Sequence, residues 1–168
     1  LLGRLDAGAH PDARVRRQAF RQLCRGLAPH PEGEALAPLV PLAEKEEDGE
    51  LAAAYLALFG ETRYTPAASF VIRRLCAAED DAPAEGAARA FPKLATPRAV
   101  QQLAAAYDDA PLDVKARILY AAAPCAAPEA HALLARALAV EETAVHALAA
   151  MRAAGLTLPA ALPRVRDP

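Results

Sequence analysis

Arg14, Arg17, Arg21 and Arg25 recur at the spacing of one helical face. Four guanidinium groups on one ridge would suit phosphates or carboxylates, because each is permanently charged and presents a planar fork of donors. An ordinary solvated helix face is the simpler account of the same pattern. An acidic run follows, in which Glu44, Glu46, Glu47, Asp48 and Glu50 are offset only by Lys45. It would meet a basic partner, neutralise the arginine ridge, or serve as a solvated turn whose acids complement the next helix N-terminus.

Nucleophilic, metal-based and phosphate-cradling chemistry has no sequence pattern to stand on. The chain has no glycine-rich phosphate loop, no Gly-x-Ser-x-Gly elbow and no His-Glu-x-x-His helix. His10, His30, His131 and His146 are scattered, and the first two stand beside prolines. Cys24, Cys76 and Cys125 are odd in number and lie far apart in apolar surroundings. They read as reduced, buried thiols of a cytoplasmic protein rather than a disulfide framework or a metal cluster. The expectation is no catalytic residue, no metal and no cofactor.

The elements that carry these residues are helical. Of 168 residues, 54% are apolar, alanine is the commonest and leucine the next, while aromatics make up only 5%. That balance fills a sizeable core with helices rather than strands. The 15 prolines fit because most fall between apolar stretches, as at Thr65-Pro66, Thr96-Pro97, Ala110-Pro111 and Ala127-Pro128, where proline suits a first helical turn. A net charge of −2 offers no global field toward nucleic acid or an anionic membrane. No apolar run reaches the length of a membrane span, and the opening residues do not read as a basic segment followed by an apolar stretch, as a signal peptide would.

A worn internal period is present. Helix openings at Asp12, Asp48, Pro83, Leu112 and Glu142 follow one another at about 30 to 36 residues. Each interval holds a second helical stretch: Glu34 to Glu44, Pro66 to Ala77, Pro97 to Tyr107 and Pro128 to Ala139. Two helices per period make a hairpin, and hairpins must stack to bury their apolar stripes. The expected fold is therefore all-α, a short α-α superhelix of about four to five stacked antiparallel hairpins in one domain spanning 1–168. Val15, Ala19, Leu23 and Leu27 should face inward in the first repeat, and Leu36, Leu56, Phe70, Leu94, Leu103, Ile118 and Leu133 should fill later layers. Leu1, Leu2 and Leu5 read like the tail of a helix, so 1–168 is also readable as a piece of a longer array. The proline-broken stretch Leu156 to Leu162 reads as a terminal cap.

Aligning the repeats on Val15, Leu51, Ala87, Val114 and Val145 puts Arg21, Ala57, Lys93, Tyr120 and Met151 at equivalent outward positions. The ridge would then change from charged to apolar along the array. Tyr120 and Met151, a rigid aromatic and an adaptable thioether, suit a protein interface, with cover by adjacent helices as the alternative.

Asp12, Val15, Arg16 and Ala19, and then Glu142, Val145 and Ala149, resemble the acidic residue, valine, arginine and alanine pattern of the HEAT-like repeat family, including the short repeats of the phycocyanobilin lyase type. The resemblance runs from about Asp12 to Gly155. It implies an α-solenoid whose helices present one long surface to a protein or a nucleic acid, with no chemistry of its own. It also implies that Arg16 bonds an acidic residue of the neighbouring repeat. Only the first repeat carries that arginine, and Ala52, Lys115 and His146 are among the residues at the corresponding positions. The expected function is a cytoplasmic, bacterial, non-enzymatic protein-binding scaffold, including the narrower form in which it neutralises one partner as an immunity protein does. The alternative is a nucleic-acid-binding repeat protein using the arginine ridge, against which stand the lack of tryptophan and the scarcity of other aromatics. A chromophore chaperone is implied by the family resemblance alone.

Overall fold

The computed structural model describes residues 9–26, 33–77 and 81–157. Leu1, Leu2, Leu5 and Leu27, and the cap segment beyond Thr157, lie outside the described residues. All regular elements among those described are helices. They are α1 (Ala13–Gly26), α2 (Gly33–Leu36), α3 (Val40–Glu44), α4 (Gly49–Glu61), α5 (Ala68–Leu75), α6 (Asp81–Leu94), α7 (Pro97–Asp108), α8 (Leu112–Ala122), α9 (Pro128–Leu138) and α10 (Glu141–Ala153). Short 3-10 turns at Ala37–Leu39 and Thr65–Ala67 join α2 to α3 and lead into α5.

The helices stack as hairpins in two layers. One layer runs through α4, α6, α8 and α10, each packed on the next, and the other through α5, α7 and α9. Cross-layer packing of α5 on α6, α7 on α8 and α9 on α10 closes each hairpin. Proline sets several boundaries: Pro97 and Pro128 open α7 and α9, and Pro38 and Pro41 break the second stretch into α2 and α3. Asp48 and Thr96 cap α4 and α7 by accepting the backbone N–H of Leu51 and Ala99.

One contiguous core runs through the stack. Phe59, Phe91, Leu56, Leu75, Leu103, Ile118 and Leu119 are fully buried, and alanines fill the gaps between axes. Close approach is greatest between α4 and α6. A methyl at Gly60 would stand 3.1 Å from Ala90 Cα, and one at Gly86 would stand 3.4 Å from Ala53 Cα. Aromatic rings fill the first layers, with Phe20 edge-on to Tyr55 at 4.6 Å and Phe59 edge-on to Phe70 at 6.1 Å.

The stretch Pro66 to Ala77 begins as a 3-10 turn rather than an α-helix, and the helix expected at Pro83 already opens at Asp81. A larger difference concerns the last repeat. Val140 is the N-cap of α10, as Asp48 is of α4 and Pro111 of α8. The third residue after each cap is then Leu51, Val114 and Thr143, not Val145. Thr143 is buried, and its hydroxyl donates to the Ala137 carbonyl at 2.8 Å, so a threonine occupies an apolar site without stranding its oxygen. Val145 points outward and is 70% exposed. In the first repeat Ala19 and Leu23 are buried and Val15 is half-buried.

Candidate functional site

The junction of the first two repeats is where most of the predicted charged residues meet. Arg16 donates through Nε and Nη2 to the two carboxylate oxygens of Glu46, at 2.9 and 2.7 Å. Its Nη1 donates to the carbonyls of His10 and Pro11, both at 2.8 Å. Glu46 is only 4% exposed, and its Oε1 also accepts the Asp48 N–H at 2.9 Å. Burial pushes the Glu46 carboxyl up, but the Arg16 bonds and the Asp48 N–H outweigh it and hold the group below the ordinary carboxylate value. The same bond raises the Arg16 guanidinium above its usual value. Arg16 thus bonds an acid in the turn that leads into the second repeat.

Arg17 follows the same course and leaves the exposed ridge. It donates to Asp48 Oδ1 at 3.1 Å and Oδ2 at 2.5 Å, and its Nη1 reaches Glu50 at 2.7 Å. Asp48 is held below the ordinary aspartate value, first by the Arg17 bond and then by the Leu51 N–H it caps. A ridge of four free guanidinium groups is therefore corrected to three, Arg14, Arg21 and Arg25, all exposed. Of the readings of the acidic run, the pairs fit neutralisation of neighbouring arginines and the Asp48 cap fits a turn before a helix N-terminus. Glu44 bonds Arg73, Glu46 bonds Arg16, Asp48 and Glu50 bond Arg17, and Glu47 alone is exposed without an ion pair among the described residues. These acids join repeats to one another instead of forming an open patch.

Arginines from other positions make further bonds between helices of different repeats. Arg74 donates to the carbonyls of Ala43, Glu44 and Glu46 at 3.0 to 3.3 Å, capping the C-terminus of α3. Arg117 donates to the carbonyls of Leu75 and Ala77 at 3.0 and 2.9 Å, just past α5. Arg136 pairs with Asp108 at 2.9 Å at the end of α7. Each places a cation on the negative end of a helix in an earlier repeat. Sequence reasoning missed all three, because their spacing follows no repeat and the acceptors of Arg74 and Arg117 are backbone carbonyls.

Tyr120 and Met151 part company. Tyr120, nine residues after its cap as Arg21 is after Asp12, is 44% exposed on α8. Met151 lies eleven residues after the Val140 cap, the register of Leu23 and Phe59, and is 7% exposed. Its outward placement is corrected, since the two-residue shift of α10 turns it to the core and puts Ala149 outward. Met151 lines an apolar groove of about 350 Å³ together with His131, Leu134, Leu138, Leu156 and Thr157.

Burial raises all three thiols, Cys125 to about 11. Cys125 is buried and donates to the Ala121 carbonyl, whereas Cys24 and Cys76 are half-buried. His131 is exposed, His146 half-buried, and His10 accepts the Asp12 N–H through Nδ1 at 3.1 Å. Among the described residues, no group of three or more His, Cys, Asp or Glu side chains is placed to hold a metal ion. No described helix is long and apolar enough to cross a membrane. The chain matches no family model, no curated protein and no solved structure.

Proposed function

We propose that this chain is a non-enzymatic protein-binding module, a HEAT-like array that presents the outer faces of α4, α6, α8 and α10 to a partner. The observation that carries the reading is the distribution of exposed apolar residues. Leu112, Tyr120, Val140 and Val145 are the large apolar side chains left exposed among the described residues, and all four belong to α8, α10 and the cap of α10. Large apolar side chains left exposed on two neighbouring helices of an otherwise well-packed domain are what a contact surface would use. The scaffold beneath is suited to the task, since the core is continuous and the junctions are bonded from repeat to repeat.

Arg14, Arg21 and Arg25 favour a second reading, in which the first repeat grips nucleic acid. The loss of Arg17 to Asp48 and Glu50 weakens the positive face that such binding needs. Affinity capture from native lysate separates the two. Wild type would be compared with Tyr120→Asp and with Arg14→Glu/Arg21→Glu/Arg25→Glu, with bound species identified by mass spectrometry after nuclease treatment. One stoichiometric protein lost by the Tyr120 variant supports the binding module. Retention of nucleic acid alone, lost by the arginine variant, replaces it with the second reading.

A further inference from the structure

Carboxylates in the two halves of the array have different fates. In the first half most serve at junctions: Glu44, Glu46, Asp48, Glu50 and Glu61 pair with Arg16, Arg17, Arg73 or Lys93, while Asp12 and Glu47 make no ion pair among the described residues. In the second half Asp109, Asp113, Glu141 and Glu142 are exposed and make no ion pair among the described residues. Asp113, Glu141 and Glu142 stand in first helical turns, where the dipole favours them but leaves their outer oxygens to solvent. The neighbouring cations are occupied, because Lys115 and Arg136 lie over the Tyr107 ring at 5.5 and 5.6 Å and Arg136 also holds Asp108.

The same helix starts carry exposed apolar side chains. Leu112 is 37% exposed beside Asp113, Val140 is 47% exposed beside Glu141 and Glu142, and Val145 follows one turn on. α8 and α10 are successive helices of one layer and pack against each other. Apolar area rimmed by unpaired charge of one sign specifies the chemistry of what would cover it, through burial of the first and complementarity to the second.

We infer that the paired starts of α8 and α10 dock a segment of another protein that bears an apolar stripe flanked by lysine or arginine. The stripe covers Leu112, Val140 and Val145, and the basic groups meet Asp109, Asp113, Glu141 and Glu142. This rests on the protein-binding reading and gives it a partner chemistry.

The test uses the full chain and a fluorescein-labelled amphipathic peptide of leucine and lysine, about 18 residues or roughly 27 Å as a helix. A peptide with glutamate for lysine is the control. Fluorescence anisotropy should show binding of the lysine peptide only, weakening as salt rises from about 0.05 to 0.3 M. Affinity should fall about ten-fold or more in Val145→Asp and in Glu141→Lys/Glu142→Lys, and stay within about two-fold in Glu47→Lys/Glu50→Lys. Circular dichroism at the assay temperature should show every variant folded, with Tm lowered slightly where Glu50→Lys gives up Arg17 and where lysines replace Glu141 and Glu142 in a first helical turn. An equal loss in Glu47→Lys/Glu50→Lys would reduce the effect to diffuse charge and overturn the inference, as would indifference to Val145→Asp. Sedimentation showing wild-type self-association that Val145→Asp abolishes would overturn it by seating a second copy there. If the peptide fails to bind while capture still yields a partner sensitive to Tyr120→Asp, the docking face falls and the binding module stands.

Discussion

Replacing Arg16 by methionine should cost about 2 to 4 kcal/mol, between the small value of an exposed ion pair and the larger one of breaking a buried pair. The figure follows from what the guanidinium holds. Two bonds go to a carboxylate that is 4% exposed, and two more, each of 2.8 Å, go to the His10 and Pro11 carbonyls. Without Arg16, Glu46 is a buried charge facing solvent only at its edge. At roughly 2 to 4 °C per kcal/mol for a chain of this size, calorimetry at neutral pH should show Tm lower by about 5 to 15 °C. The pH dependence fixes the cause. The folded-state value of Glu46 is depressed in the wild type, so its contribution is present above the unfolded carboxylate value and is lost as pH falls through the folded one. In the variant the carboxyl keeps its burial without its partner, so the gap from wild type should narrow as pH is lowered through about 4. Adding Glu46→Gln removes the stranded charge and leaves an oxygen for the Asp48 N–H, which should recover about half the loss. A single variant within about 0.5 kcal/mol of wild type, or a double variant no better than the single, would refute this account of the junction.

The two helical glycines should answer alanine in opposite ways. Gly86→Ala adds a methyl in ordinary contact with Ala53 and should gain about 0.5 to 1 kcal/mol by denaturant titration, whereas Gly60→Ala presses on Ala90 at 3.1 Å and should lose stability despite its better helix propensity. Arg63 has φ 51° at the end of α4, where Tyr64 N–H reaches back to Phe59, the same geometry that Gly155 with φ 69° adopts after α10. Arg63→Gly should therefore raise stability by up to about 1 kcal/mol, and a loss would mean that the side chain makes a contact that outweighs its strain. Burial pushes Tyr55 up to about 12, so its stabilising effect is intact below its unfolded value near pH 10 and is lost as pH rises toward 12. Tyr55→Phe should flatten the fall in stability between about pH 10 and 12, measured by circular dichroism melts.

Helix content, proline-set boundaries and a hairpin period were legible along the chain because each rests on neighbours within a few residues. Alanine and leucine at helical spacing predict both the elements and their buried faces, and Leu56, Leu94, Leu103, Ile118 and Leu133 are all buried as the pattern requires. Arg16 was legible too, since it stands in the one well-kept copy of the repeat pattern. The register of α10 was not. Glu141 and Glu142 both suit a first turn, and only packing on α8 and α9 decides that Thr143 turns inward, Val145 outward and Met151 to the core. Charge pairing was equally out of reach of the linear pattern. Arg14, Arg17, Arg21 and Arg25 share a period, yet Arg17 alone faces Asp48 and Glu50, a match fixed by where the second hairpin lands. Composition and periodicity thus determine that this chain is a stack of helical hairpins, because local propensity and apolar spacing act within each helix. Which charges are consumed at junctions and which remain on the surface is decided only when helices distant in sequence are brought side by side.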